Sequence, residues 1–402
     1  MQLKINKTEL KVILLLLASI QIDSLSHILP SIATYFNVYL PMAVCVLMAA
    51  LLLLRRRISN ITLLIIAYFA FLFAATFIQK PGSMQLILWQ IASPLAVTLV
   101  TEYYLQKKPQ EYFSAAIKLL IVLTVIDIIT IILYPNGLYA TEIYTDCWFL
   151  GYKTARLRTA TLPIIMMAAV VAIQKSGRLD RKFWLITALA FVDTLLSKNT
   201  GGVVTIAAMV IMLFLTYSPK SSKNRLFAVK FFSSKWLIFG IIALTFLVNV
   251  LQNMSLFAPF FELLDQKDVS IMARVRIWTA SIDYFSQSPV IGSGYISSSE
   301  FSAVVGFPHA TQPHSLLMSV LVYSGLIGMA LYLILIYRSF SRVNSRTKNS
   351  ASVVCAIHIL CIMIHGIISI HLFSPFFYAS MVMAHYLGNI DTQNQLAQNQ
   401  PA

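Results

Sequence analysis

Apolar runs long enough to cross a lipid bilayer recur from one end of this chain to the other, separated by short polar tracts. A hydrocarbon core of about 30 Å needs roughly 17–25 apolar residues per helix. Backbone polar groups inside lipid must be satisfied internally, which leaves only helices or closed barrels. The runs are continuously apolar, without the alternation of barrel strands. The expected fold class is all-α: a polytopic integral membrane protein of about twelve transmembrane helices, one membrane domain over residues 1–402. With 58% hydrophobic and 11% charged residues and a mean hydropathy of +0.77, the chain lies outside the range of soluble domains. The run after Lys11 lacks the small-residue exit of a cleavable signal and reads as a first span.

A net charge of +15 would suit a nucleic-acid partner if it were concentrated on one surface. It is instead divided among short tracts between apolar runs, the pattern of cytoplasmic loops, and no nucleic acid is expected. With a cytoplasmic N-terminus and strict alternation, all but eight of the 30 lysines and arginines fall inside. The eight left outside are Lys80, Lys153, Arg156, Arg158, Lys198, Lys267, Arg274 and Arg276. Orientation does not require these, so another demand must keep them. Both termini are expected in the cytoplasm, with the polar stretch 391–402 a disordered tail. The four cysteines form neither a Cys-x-x-Cys pair nor a disulfide framework.

Residues 251–313 separate the ninth and tenth expected spans, too far for a simple connector, and are read as a large external catalytic loop. Within it, apolar residues at spacings of three and four (Ile271, Val275, Trp278, Ile282, Phe285) predict a helix running from about Ser270 to Gln287. Arg274 and Trp278 share one face of that helix, and Arg276 points elsewhere. Ser288-Pro-Val-Ile-Gly-Ser-Gly294 follows as a turn, then His309 and His314 before the next span, with Gly325 and Gly328 inside it.

Arg-x-x-x-Trp, about ten residues, Ser-Pro-x-x-Gly-x-Gly, then a histidine opening a span and Gly-x-x-Gly eleven residues on resembles the bacterial O-antigen ligase/polymerase superfamily. The matching residues are Arg274, Trp278, Ser288, Pro289, Gly292, Gly294, His314, Gly325 and Gly328. Three positions depart from the family pattern. Its asparagine after the histidine is Ser315; the acidic residue before the first glycine is Tyr323. Its Ser-x-Ser-Arg-like turn is Ser197-Lys-Asn-Thr-Gly-Gly202, without arginine.

The resemblance implies a GT-C-like membrane fold and a glycosyl transfer from an undecaprenyl-diphosphate-linked glycan to a glycan acceptor, at the outer face of the bacterial plasma membrane. It implies repeat-unit polymerisation for O-antigen, capsule or exopolysaccharide, or ligation of finished polymer to a lipid core. A chain-length regulator, a repeat-unit flippase and membrane lipids are the implied partners. A glycosyl diphosphate is already activated, so no cofactor, metal or nucleotide is expected. The departing diphosphate accumulates negative charge, which a planar arginine fork can bind bidentately. The acceptor hydroxyl must lose a proton, which an imidazole can accept. On this reading Arg274 binds the diphosphate and His314 is the base. Arg276, Arg158, Arg156 and Lys198 are further phosphate contacts, and Asp193, His309 and Ser315 candidates for lining the cavity.

Plainer roles compete at each position. External arginines can bind anionic headgroups, His314 can anchor its span, and Gly325 and Gly328 suit close helix packing. His358 and His365, seven apart with Cys361 between them, read as packing histidines rather than a metal site. Asp127 and Asp193 fall inside expected spans, Asp193 one turn from Ser197 and in reach of Lys198. A flippase or secondary transporter is the rival class; it lacks support from internal repeats or paired broken helices.

Overall fold

The computed structural model describes residues 5–141, 144, 146–218, 221–251, 269–306, 310–347 and 349–398. The chain opens with α1 (Lys7–Leu17), whose start is set by a reciprocal capping box between Asn6 and Glu9. The first apolar run then breaks over residues 18–22, around Ser19 and Gln21, and the chain continues as the short, polar α2 (Asp23–Ile28). Asn37 stabilises the break: its side chain accepts from Ile22 N at 3.1 Å and donates to Ile22 O at 3.2 Å.

Next come α3 (Pro30–Leu54), α4 (Asn60–Gln79), α5 (Pro81–Leu105) and α6 (Pro109–Leu133), all long and apolar enough to cross a bilayer. The hairpin of β1 (Cys147–Trp148) and β2 (Gly151–Tyr152) precedes α7 (Lys153–Ser176), another such helix. Then follow α8 (Arg181–Leu196), α9 (Thr200–Tyr217), α10 (Ser222–Phe232), α11 (Lys235–Leu251), α12 (Val269–Ser286), α13 (Ser298–Val305), α14 (Leu316–Ser341), α15 (Ser352–His365) and α16 (Pro375–Gln398).

Among the described residues seven helices meet the length and hydropathy of a span, or eight if α10 and α11, bent by 45°, count as one. The expected count of about twelve is not reached by that measure. The first run is broken, α8 has 16 residues, and α15 with 14 extends only about 21 Å. The last helix continues to Gln398, through most of the stretch that composition marks as a disordered tail.

Contacts between helix ends gather them into two groups. The basic tracts share one end. There Gln106 Nε2 donates to Arg57 O at 2.7 Å, Lys108 Nζ to Thr8 Oγ1 at 3.1 Å, and Tyr217 OH to Ser350 O at 2.6 Å. Glu102, with no accessible surface, ties this end together. Its carboxylate accepts from Ser59 N (2.8 Å), Ser59 Oγ (3.0 Å), Thr62 Oγ1 (2.8 Å), Gln106 Nε2 (2.9 Å) and Tyr386 OH (2.7 Å). A buried carboxylate is tolerated only when so hydrogen-bonded, and this one joins α4, α5 and α16.

The glycine motif is a backbone clasp. Helix α14 breaks at Gly325, whose φ of 60° and ψ of −164° suit only a residue without a Cβ. The amides freed by the break bond to the Ser-Pro-x-x-Gly-x-Gly turn: Leu326 N donates to Pro289 O (2.9 Å) and Ile327 N to Val290 O (3.1 Å). In return Ser293 N donates to Val322 O at 2.8 Å. Gly292 (φ 77°) lies against the Gly325 backbone, where an added Cβ would stand 2.5 Å from Gly325 N. Gly292 and Gly325, one from each motif, are thus one feature, which locks the segment after α12 into the broken helix.

Candidate active site

At the end opposite the basic tracts, the segments between helices converge: the β hairpin and the start of α7, the α8–α9 turn, α12, the residues before α14, and the α15–α16 connection. Trp278 is 2% exposed and anchors α12 in the core, leaving Arg274, one turn earlier, partly exposed. The Arg-x-x-x-Trp spacing is therefore an anchor and a cation on one face. Arg274 places its positive charge close enough to act on His314, His365 and Tyr152.

His314 is held in a left-handed backbone conformation, with φ 48°, that non-glycine residues rarely adopt. Its neighbours fix it there. Leu316 N donates to Gly366 O at 2.7 Å, and Asn249 Nδ2 of α11 donates to Ser315 Oγ at 2.6 Å. Where the superfamily pattern has an asparagine after the histidine, this chain brings an amide from another helix. Burial pushes the His314 imidazole down to about 4, and the Arg274 charge adds to the effect. The ring is thus neutral near pH 7 and carries a lone pair.

A second cation faces the same region from α7. Arg158 is partly buried beside Asp23, Gln21 and Thr159, in a polar cavity of about 20 Å³, and its charge reaches His371, Tyr144 and Tyr295. Ser374 Oγ donates to Arg158 O at 3.4 Å, holding the start of α7 to the α15–α16 connection. Between the two arginines lie His365 and His371, with Nδ1 of the former 2.5 Å from Nε2 of the latter. His371 is fully buried; burial foremost, then His365 and Arg158, pushes its imidazole well below the usual range. His358, by contrast, is buried with neither ring nitrogen hydrogen-bonded among the described residues.

Arg156 departs from its expected role as a phosphate contact. It has no accessible surface, and its guanidinium is engaged within the fold. Nη2 donates to Gly151 O at 3.1 Å, Cζ lies 4.9 Å from the Trp148 ring centre, and Nη1 is 3.1 Å from Asp127 Oδ2. That last contact is an ion pair not aligned as a hydrogen bond. Asp193, also fully buried, lies against Asp127 rather than Lys198 or a cavity. The three side chains form a buried support beneath the hairpin, where Leu150 N donates to Asp127 Oδ1 at 2.8 Å. Arg276 is exposed, about 200° around α12 from Arg274. His309 lies outside the described residues, and Ser315 is buried under His314.

Lys198 stands exposed on the α8–α9 turn with a φ of 53°. Asn199 sets the turn: its side chain accepts from Gly202 N at 2.9 Å and donates to Lys153 O at 2.7 Å. A cavity of about 280 Å³ opens there, lined by Lys198, Lys153, Tyr144, Trp148 and Tyr152 among others. Among the described residues no three or more His, Cys, Asp or Glu side chains gather as a metal site would.

Sequence reasoning paired Arg274 with His314 and marked Lys153 as an external cation, but did not single out His371, Tyr144, Trp148 or Tyr152; His365, read as a packing histidine, is buried against His371. Two histidines six apart across a turn at the end of a short span were the available signal for the imidazole pair.

Fold and site together describe a multi-pass helical membrane protein that gathers Arg158, Arg274, His314, His365 and His371 at one end of its bundle. Residues 185–333 match the family model described as O-antigen ligase, the same family pattern that the Arg274–Gly328 stretch resembles. The matched stretch includes Lys198, Arg274 and His314, while Arg158, His365 and His371 lie beyond it. Neither the curated proteins nor the solved structures contain a match to the chain.

Proposed function

We propose that this protein polymerises glycan repeat units, transferring a glycan from undecaprenyl diphosphate to a sugar hydroxyl at the outer face of the bacterial plasma membrane. What supports the reading is the meeting of Arg274, on α12, with His314, ahead of α14, at the bundle end away from the basic tracts, near enough for the guanidinium charge to bear on the imidazole. A donor lipid is bilayer-bound, and so must its enzyme be.

In this scheme the acceptor oxygen attacks the anomeric carbon and the carbon–oxygen bond to the diphosphate breaks. The leaving group takes the electron pair, and the hydroxyl proton passes to His314. Arg274 binds the diphosphate and Arg158 stands as the second cation, in place of the arginine absent from the Ser197–Gly202 turn. Fixed cations aimed at developing charge are worth about 10²–10³ in rate each. Attack in one step on an α-linked donor inverts the anomeric centre. Because arginines supply the positive charge, transfer is expected to survive EDTA.

The test uses purified protein in proteoliposomes with a lipid-diphosphate-linked repeat unit. Wild type should build a ladder of polymers, and Arg274→Ala and His314→Ala should not, although both insert. Wild-type ladders from either variant would overturn the assignment. The description of the matched family favours a second reading, ligation to a lipid core. Supplying a lipid-core acceptor beside the repeat unit separates the two by product. Under the polymerase reading a flippase supplies the donor and a length regulator limits the product.

A further inference from the structure

The cavity of about 280 Å³ beside the α8–α9 turn takes no part in the proton transfer or diphosphate binding described above. We infer that it is a glycan subsite that selects a sugar bearing a carboxylate. The inference rests on the transferase reading and names the substrate class of that site.

The size, just under the lower end of the roughly 300–1,000 Å³ of small-molecule pockets, suits a single sugar ring. Its lining combines polar groups with three aromatic side chains: Tyr144 and Tyr152 stack with ring centres 3.6 Å apart and planes 14° from parallel, and Trp148 joins them. Ring faces carry negative electrostatic potential, and the C–H faces of a pyranose are the apolar, weakly positive surface that fits them. Neutral hydroxyls would find aromatic walls on any sugar-binding protein, so the walls alone do not set the class.

The lysines do. Lys153 Nζ lies 5.4 Å from the centre of the Tyr152 ring, over the aromatic wall. Lys198 is presented from a left-handed backbone that non-glycine residues rarely adopt. One hydrogen bond, from Asn199 Nδ2 to Lys153 O, joins the two segments that carry them, so both ammonium groups come to the same cavity by construction. Orientation in the membrane gains nothing from lysines at this end. Among the described residues lining the cavity, Asp146 is the one that is acidic, and two lysines against it leave an excess of one positive charge. A sugar carboxylate would neutralise it. Tyr152 connects the cavity to the diphosphate site, because Arg274 acts on its hydroxyl.

The experiment titrates the purified full-length protein with D-glucuronate, D-glucose and glycerol phosphate, reading the tryptophan emission that Trp148→Phe removes. D-Glucuronate should bind saturably, and at least about tenfold more tightly than D-glucose, the size of one charge-assisted hydrogen bond. Lys198→Gln and Lys153→Gln, both at accessible lysines, should each abolish most of that preference. Equal binding of D-glucose, no binding of D-glucuronate, or a preference unmoved by either lysine variant overturns the subsite. Tighter binding of glycerol phosphate also overturns it and assigns the cavity to a lipid headgroup. The same variants are then assayed for transfer in proteoliposomes. Transfer that depends on Arg274 while uronate selectivity is absent sinks the subsite alone. Transfer that survives Arg274→Ala sinks the transferase reading and leaves the binding result to stand.

Discussion

The pH dependence of transfer tests His314 most directly, because its environment sets a limb where an ordinary histidine would not. The unperturbed imidazole titrates near 6.5, and burial, with Arg274 beside it, brings His314 down to about 4. A general base acts in its neutral form, and kcat/KM reports the free enzyme. At pH 5 an imidazole with a pKa of about 4 is roughly nine-tenths neutral, against about 3% for one at 6.5. The two cases differ by about thirtyfold in kcat/KM at that pH, well beyond assay error. The profile measured in proteoliposomes should therefore stay flat from pH 7 to 5 and fall only below that. Once the diphosphate is bound, its negative charge favours the imidazolium, so the limb in kcat should lie above the limb in kcat/KM. An acid limb near 6.5 in kcat/KM would refute the burial of the ring, or its role as base. A profile unchanged in His314→Gln would refute the role outright.

Other perturbations separate support from chemistry. Glu102→Gln replaces an all-acceptor group with one that can accept at only one oxygen, stranding donors at the basic end. It should cost about 1–3 kcal/mol per unmet group, seen as a lower Tm in detergent with turnover of the surviving protein unchanged. Gly325→Ala or Gly292→Ala drives a Cβ into the partner glycine's backbone at a left-handed φ. Each should lose folded protein in gel filtration, and the double variant should be little worse than either alone, because one clasp is broken. Arg156→Met leaves Asp127 and Asp193 buried without their cation, a loss of about 3–5 kcal/mol. Arg158→Gln should instead keep the Tm within a degree or two and lower transfer by about 10²; the reverse pattern would exchange the roles assigned to the two residues.

Much of this molecule was legible as a line of residues because lipid burial, which dominates its folding, is a local property. Whether a run of apolar side chains can sit in lipid depends on that run alone, and so does the sorting of basic tracts between its ends. The spacing of Arg274 and Trp278 on one helix face followed from the helical repeat. The left-handed turn at Gly292 was marked by the glycine itself. Tertiary structure decided everything that depends on which segments meet. Arg156 and Arg158 are two residues apart and equally basic, yet the helix turns one into a buried ion pair with Asp127 and the other toward His371. Spacing could not reveal that Gly292 and Gly325 touch, that Asn249 supplies the amide at Ser315, or that Asn199 draws Lys153 to Lys198. Periodicity records what each helix buries, whereas a site is made where several helix ends come together, and only the packed bundle brings them there.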